Sequence, residues 1–310
     1  MNITNNTEFP HIQFEKVGYF GELFSVIVVS QTFDLSSDRE VCQIAGIQRM
    51  PVLADTWFGE PEMSSLKTAT DLVCKKKRSE ILLTGNAWNA TGSAREWQAE
   101  FQVGDFRRTL SVCGLREWQY KNHEWKLGQP GLTDRVPLHF ELASFNEFNP
   151  VGRHLPEDAD DQHIFPAPQL SFSPGAVCRS WPSRIRYANG FNSEWQKHTR
   201  PYYPDEFDFT FLSCAPPEQQ YVGFLKGNEK VVFNGLLPTK AKFTGFLPGI
   251  RLLAELYKDD QAPEQRLLLA DTLTCYTDEE QITLIWRLTL PSNALPDSLI
   301  LLSHRESAHG

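Results

Sequence analysis

The stretch "LLLADTLTCYTDEEQITLIWRLTL", Leu267 to Leu290, alternates apolar and polar residues on either side of a short polar break. In its second half Ile282, Leu284, Trp286, Leu288 and Leu290 fall on one face, opposite Gln281, Thr283, Arg287 and Thr289. Side chains alternate across a strand, so this periodicity means extended chain. The polar tetrapeptide Thr277 to Glu280 then makes the two halves a hairpin.

The same pattern recurs upstream. In "WQAEFQV" the residues Trp97, Ala99, Phe101 and Val103 share one face and Gln98, Glu100 and Gln102 the other, which describes a half-buried strand. Gly104 and Asp105 follow, and Phe106 to Cys113 reads as the return strand across a type II′ turn with glycine first. Further strands are expected in "LFSVIVVSQTFDL", "EILLTGNAW", "VVFNGL" and "KAKFTGF". Long helical periodicity is missing. The fold class is therefore all-β, an antiparallel sandwich or barrel-like set of sheets with a few short helices.

Strand periodicity fades from about Gly128 to Pro217, where prolines, glycines and large aromatics are frequent. Disordered segments are poor in aromatics, so this stretch is expected to pack against the β core. One large domain over 1–310 is expected, with possible lobes 15–140 and 220–300 joined by the packed excursion 141–219. Within the excursion Asn192 should cap a short helix over Ser193 to His198, and Asp208 a turn running to Ser213. Pro216 and Pro217 in "FLSCAPPEQQ" fix successive φ angles, ending an apolar element in a stiff corner.

Composition narrows the function. With 310 residues and 41% hydrophobic content the chain can bury a substantial core. A formal charge of −9 argues against a nucleic-acid binder. The one basic run, Lys75 to Arg78, reads as a solvated loop. No apolar stretch is long enough for a membrane span, and the N-terminus lacks the charged and apolar regions of a signal peptide, so a cytoplasmic location is expected. The six cysteines Cys42, Cys74, Cys113, Cys178, Cys214 and Cys275 are widely separated, as free and mostly buried thiols would be. In a cytoplasmic protein the sequons at Asn2, Asn5 and Asn89 carry no sugar.

Catalytic patterns are thin. The chain lacks G-x-G-x-x-G, G-x-x-x-x-G-K-[ST], H-E-x-x-H and G-x-S-x-G. The acidic "EDADDQH" stretch, with Glu157, Asp158, Asp160 and Asp161, lacks the glycine and distal glutamate of an EF-hand loop and reads as solvated. No cofactor and no metal site is expected. Asp205, Glu206 and Asp208, or a Cys/His pair distant in sequence, leave a hydrolase-like enzyme open as the alternative. A polysaccharide-binding module is a third reading, on Trp57, Trp88, Trp97, Trp118 and Trp125, for which core burial is favoured.

Five blocks in one order resemble a bacterial family, domain of unknown function 2169, from about residue 20 to residue 290. "LADTWFGEPEMSSLKTATDL" resembles that family's "ADxxWGEPxxSSLRxxSDL", matching Asp55, Gly59, Glu60, Pro61, Ser64, Ser65, Leu66 and Asp71. "NPVGR", Asn149 to Arg153, looks like the next block. "WPSRIRYANGFNSEW" is similar to "WxPRxxYAGTYDxxW", and "RPYYPDEFDFTFLSCAPPEQQ" to "PxLPxDFDxRFFNAAPPDQ". Asp271, Thr272, Trp286 and Arg287 match the closing "DT…WR" strands. The chain departs from the pattern in "PLHFELASFNEFNP", where a Gly-Gly is usual, and in carrying Asn192 and Glu218 where aspartates stand and His154 where glycine is common.

The resemblance implies a non-enzymatic adaptor or chaperone, which binds a toxic effector protein and assists its loading onto the spike protein of the type VI secretion apparatus. No nucleic-acid or membrane partner is implied. Carried onto the matching blocks, the partner-binding residues are Asn149, Arg153, Trp195, Phe207, Asp208, Phe211, Pro216, Pro217 and Gln219. For Trp195, Phe207, Phe211 and the two prolines the competing reading is a satellite core that pins the excursion down, and it is the favoured one. For Arg153 a structural hydrogen-bonding fork is favoured over partner contact.

Overall fold

The computed structural model describes residues 1–18, 22–35, 40–160, 163–259 and 261–305. Its central sheet runs in the order His11–Val17, Leu23–Asp34, Gln281–Pro291, Leu269–Tyr276, Glu80–Thr84, and Gln43–Ile44 adds to Leu23–Asp34. The hairpin expected at the C-terminal end is its middle, with Leu273 opposite Leu284. Gln281–Pro291 pairs antiparallel with Leu23–Asp34, whereas Glu80–Thr84 joins Leu269–Tyr276 in parallel.

A second sheet orders Phe106–Cys113, Glu96–Val103, Lys230–Asn234 and Lys242–Phe246, and a third orders Asn2–Asn5, Ser298–Arg305, Ile250–Tyr257 and Glu264–Leu267. Inward residues of all three meet in one apolar cluster, among them Ile27, Val29, Phe101, Phe233, Leu252, Leu284 and Trp286. The central and second sheets each combine strands from 15–140 with strands from 220–300. Those two segments thus contribute strands to the same two sheets.

Alternation in the central strands does not separate core from solvent. Ile282, Leu284, Trp286, Leu288 and Leu290 enter the main core, yet Thr283 and Arg287 on the opposite face are buried too. The excursion covers that face. Phe207, Phe209 and Leu212 pack with Val26, Val28 and Ile285, while Trp181, Cys214 and Ala215 pack with Leu66, Leu82 and Phe140. Each of the larger side chains, such as Phe207, Phe209 and Leu212, contributes roughly 1.5–3 kcal/mol on burial, enough to hold a segment with little regular structure.

Local expectations inside the excursion hold. Asn192 caps the helix Ser193–His198, its side chain accepting from Trp195 N at 2.9 Å. Asp208 starts the 3-10 turn Phe209–Leu212, accepting from Thr210 N at 2.8 Å. Gly104 has φ +56 in the expected hairpin turn.

Three readings need correction. The basic run is not simply solvated: Lys75, Lys77 and Arg78 are exposed, but Lys76 is buried, because a buried carboxylate lies within its reach. The five tryptophans Trp57, Trp88, Trp97, Trp118 and Trp125 are half-buried rather than fully buried, with Trp97 and Trp57 packed against the margins of the apolar clusters. "EILLTGNAW" is two strands, since Gly85 at φ +109 breaks it and sends Asn86–Trp88 to pair with Arg135–Pro137. All six cysteines are free and buried. Among the described residues no helix is long and apolar enough to cross a membrane.

Candidate partner-binding groove

The twin proline is seated on a buried carboxylate. Glu80, at the head of the edge strand, accepts through Oε1 from Cys214 N at 2.7 Å and from Ala215 N at 3.4 Å. Its Oε2 meets Lys76 Nζ at 2.6 Å, and Lys76 Nζ also donates to Thr272 Oγ1 at 2.7 Å. Burial, the largest single influence, lowers the lysine's pKa, but the surrounding negative groups, Glu80 first and Asp271 among them, together outweigh it and hold the ammonium above the ordinary lysine range. Pro216 and Pro217 continue the chain beside this carboxylate with no N–H of their own to satisfy. The 3-10 turn Pro217–Gln219 follows, and Gln219 Nε2 donates to Pro174 O at 2.9 Å and Ile81 O at 3.1 Å.

The network extends through the closing motif. A register shift between Ala270 and Thr272 lets Asp271 and Thr272 both face it, as a bulge does by re-aiming a side chain. Thr272 Oγ1 donates to Asp271 Oδ1 at 2.9 Å, and Arg287 Nε lies 2.5 Å from Asp271 Oδ2. Arg287 Nη1 donates to the backbone oxygens of Asp71 at 2.8 Å and Val73 at 2.7 Å. The "DT…WR" residues therefore tie 71–80 and 214–219 to the sheet.

Two cavities flank the corner and meet at Phe148 and Pro216. The larger, about 230 Å³, is lined by Arg108, Asn146, Phe148, Asn149, Phe172, Pro216, Glu218 and Gln219. The smaller, about 30 Å³, is lined by Phe148, Ser183, Arg184, Tyr187, Thr210 and both prolines among others. The Arg108 guanidinium lies 4.4 Å over the Phe172 ring, within cation–π range. Asn149 Nδ2 donates to Phe140 O at 2.8 Å and Ser144 O at 3.1 Å, which fixes the amide orientation and leaves its Oδ1 without a partner among the described residues.

The sequence-selected residues divide. Asn149, Pro216, Pro217 and Gln219 come together at this groove. Arg153 lies apart as a fork, Nη1 donating to Ala167 O at 3.1 Å and Gln169 Oε1 at 3.4 Å. Trp195, Phe207 and Phe211 belong to an aromatic cluster, Phe191 bridging Trp195 at 4.7 Å and Phe207 at 5.8 Å. Phe207 is buried, Phe211 and Trp195 half-buried, and Trp195 Nε1 donates to Tyr202 O at 2.7 Å.

Asp208 pairs with Lys77 at 2.6 Å, and that hydrogen bond, with Thr210 N, pulls its pKa down to about 2. Asp205 and Glu206 are exposed, and Asp161 falls outside the described residues. Burial and the Glu80 charge push the Cys214 thiol up to about 12. Phe148, Arg108 and Glu80 escaped the sequence reading, and Lys76 was read only as part of a solvated run. For Glu80 a signal existed, a carboxylate heading an otherwise apolar strand; Phe148 and Arg108 offered none.

Sheets sharing one core, overlaid by an ordered excursion whose polar anchors are buried, define a strand-dominated scaffold. Over residues 21–287 the chain matches the family described as "Uncharacterized protein conserved in bacteria (DUF2169)", and it belongs to that family. No curated protein and no solved structure matches it.

Proposed function

We propose that the protein is a cytoplasmic adaptor, which binds a toxic effector and assists its loading onto the type VI secretion spike. The observation carrying this reading is the twin-proline corner: a buried network from Lys76 to Gln219 holds a groove of about 230 Å³ in fixed shape. Pre-organisation lowers the ordering cost of docking a polypeptide. Of the groups the hydrolase reading named, Asp208 is engaged in a cap and an ion pair, the thiols are buried, and Asp205 and Glu206 stand exposed on the surface, which supports binding over catalysis.

The test is co-purification with the toxin and spike proteins encoded beside its gene. Wild type is expected to retain at least one, and Phe148→Ala with Arg108→Ala to lose it while remaining folded. Folded wild type that retains neither overturns the proposal.

A further inference from the structure

A second surface is formed by another segment, and its inner wall shares Lys76, Thr272 and Cys214 with the seat of the twin-proline corner. The segment from Ile47 to Met63 shows Ile47, Met50, Leu53, Phe58 and Met63 to solvent, with Ile47 83% and Met63 79% exposed. Five large apolar side chains exposed within one short segment are unusual on a protein surface and mark interaction sites.

The segment is also rigidly held. Gln48 accepts from Thr32 N at 2.8 Å and donates to Thr32 O at 3.0 Å, forking it to the central sheet. Val52 N donates to Asp71 Oδ2 at 2.8 Å, and Asp71 N donates back to Val52 O at 2.7 Å. At the tip Glu62 takes a left-handed φ of 64, while Ser64 Oγ accepts from Gly59 N at 3.0 Å and donates to Glu60 O at 2.9 Å. Strain kept in place by surrounding bonds belongs to sites that present something.

Behind the segment is a cavity of about 50 Å³, with the exposed Met50 and Phe58 among its lining. Deeper in, Thr84, Thr274, Tyr276 and Asp71 line it against the face of the central sheet. The buried Asp71 carboxylate accepts from Val52 N through Oδ2, and Arg287 hydrogen-bonds the Asp71 backbone; burial raises the acid's pKa, and the charges of Arg287 and Lys76 act against that rise. Lys76, also on the lining, is neutralised by Glu80. Such a volume takes roughly four water-sized groups, the end of an aliphatic stem and its polar tip.

Charge selects the occupant. Arg49 is offset by Glu279 and Asp55 by Arg179, and Glu60 and Glu62 at the tip outnumber Lys67. We propose that the Ile47 to Met63 flap docks a basic amphipathic segment of another polypeptide, anchored by a lysine side chain that enters past Met50 and Phe58 toward Asp71. Aliphatic residues of the partner cover the exposed side chains, and its remaining cations face Glu60 and Glu62. The inference rests on reading the chain as protein-binding and names a surface for it.

The experiment uses a dye-labelled model helix of about 14 residues, about four turns, with leucine on one face and lysine on the other, and its leucine/glutamate counterpart. Fluorescence anisotropy is read against the full chain, against Met50→Ser/Met63→Ser, against Asp71→Asn, and against Glu157→Ser/Asp158→Ser as a distant acidic control. The lysine peptide is expected to bind wild type and control alike, and about tenfold more weakly to the flap and Asp71 variants. The glutamate peptide is expected not to bind. Should Asp71→Asn fail to fold by near-ultraviolet circular dichroism, Thr274→Val reads the anchor instead. Equal binding of both peptides, no binding of either, unchanged affinity in the flap or anchor variant, or a control that weakens as much, overturns the proposal. Peptide binding without toxin or spike capture would refute the adaptor reading alone; capture without peptide binding would refute the flap alone.

Discussion

Lys76 and Glu80 meet at 2.6 Å with side chains 3% and 0% exposed, and Glu80 simultaneously holds the backbone of Cys214. Removing one member of a buried pair strands the other charge, at a cost of about 3–5 kcal/mol. Lys76→Met and Glu80→Gln should each lose stability in that range by urea denaturation. The double variant should lose clearly less than the sum, because neither charge is then left alone. Strict additivity would mean that the two side chains are not coupled as the geometry states.

Asp208 carries a depressed folded-state pKa of about 2, so its contribution is present above the unfolded carboxylate value near 4 and is lost as pH falls through about 2. It is a largely solvated pair with Lys77, worth about 0.2–1 kcal/mol. Asp208→Asn keeps the capping oxygen and removes the charge. The stability gap between wild type and variant should be constant from pH 5 to pH 7 and close from pH 4 downward. A gap that widens on acidification would contradict the assignment.

The hairpins were legible because alternation is a local property: Leu269–Tyr276, Gln281–Pro291 and Glu96–Val103 fall where the periodicity placed them. The short caps at Asn192 and Asp208 were legible for the same reason. What covers a strand's second face is not local. Arg287 and Thr283 read as a polar, outward face, and only the fold brings residues 207–212 over it. The hairpin Glu117–Lys121 with Glu124–Leu127 was missed since both strands are mostly polar, although Asn122 and His123, at φ 53 and 63, supply the left-handed pair of a type I′ turn. The groove was half legible: the prolines announced a corner, but Phe148 and Arg108 reach it from distant segments with no pattern linking them.

Burial of all six thiols has a chemical consequence. A thiol raised by desolvation, as Cys42 and Cys214 are to about 12, presents almost no thiolate at neutral pH. Native protein should therefore react with less than one equivalent of Ellman's reagent within minutes, and with six in guanidinium. Rapid titration of a cysteine in the native state would show that one of these sites is open.

Gly85 connects two sheets at φ +109, and a Cβ there would lie 2.4 Å from Thr277 Oγ1. The same hydroxyl accepts from Asn86 N at 2.9 Å, so it cannot withdraw without freeing that amide. Gly85→Ala is expected to cost about 1–3 kcal/mol from backbone strain alone, with the clash added. A melting temperature within error of wild type would show that the turn has another conformation available.

Phe207 and Trp195 belong to one aromatic cluster but should separate stability from binding. Phe207 is 3% exposed and stacks on Tyr203 at 4.3 Å, directly over Val26 and Val28. Truncation to alanine opens a cavity and should cost about 3–5 kcal/mol. Trp195 is half-buried on a helix of six residues, anchored by one hydrogen bond to Tyr202 O. Its truncation should cost about 1 kcal/mol, because half of its surface is already in water. Hydrogen exchange would then show protection lost across residues 193–212 in Phe207→Ala and kept in Trp195→Ala. If both variants weaken capture of a protein partner to the same degree as they weaken stability, the cluster is only a pin for the excursion. If Trp195→Ala loses the partner while the fold is intact, that side chain is part of the contact surface.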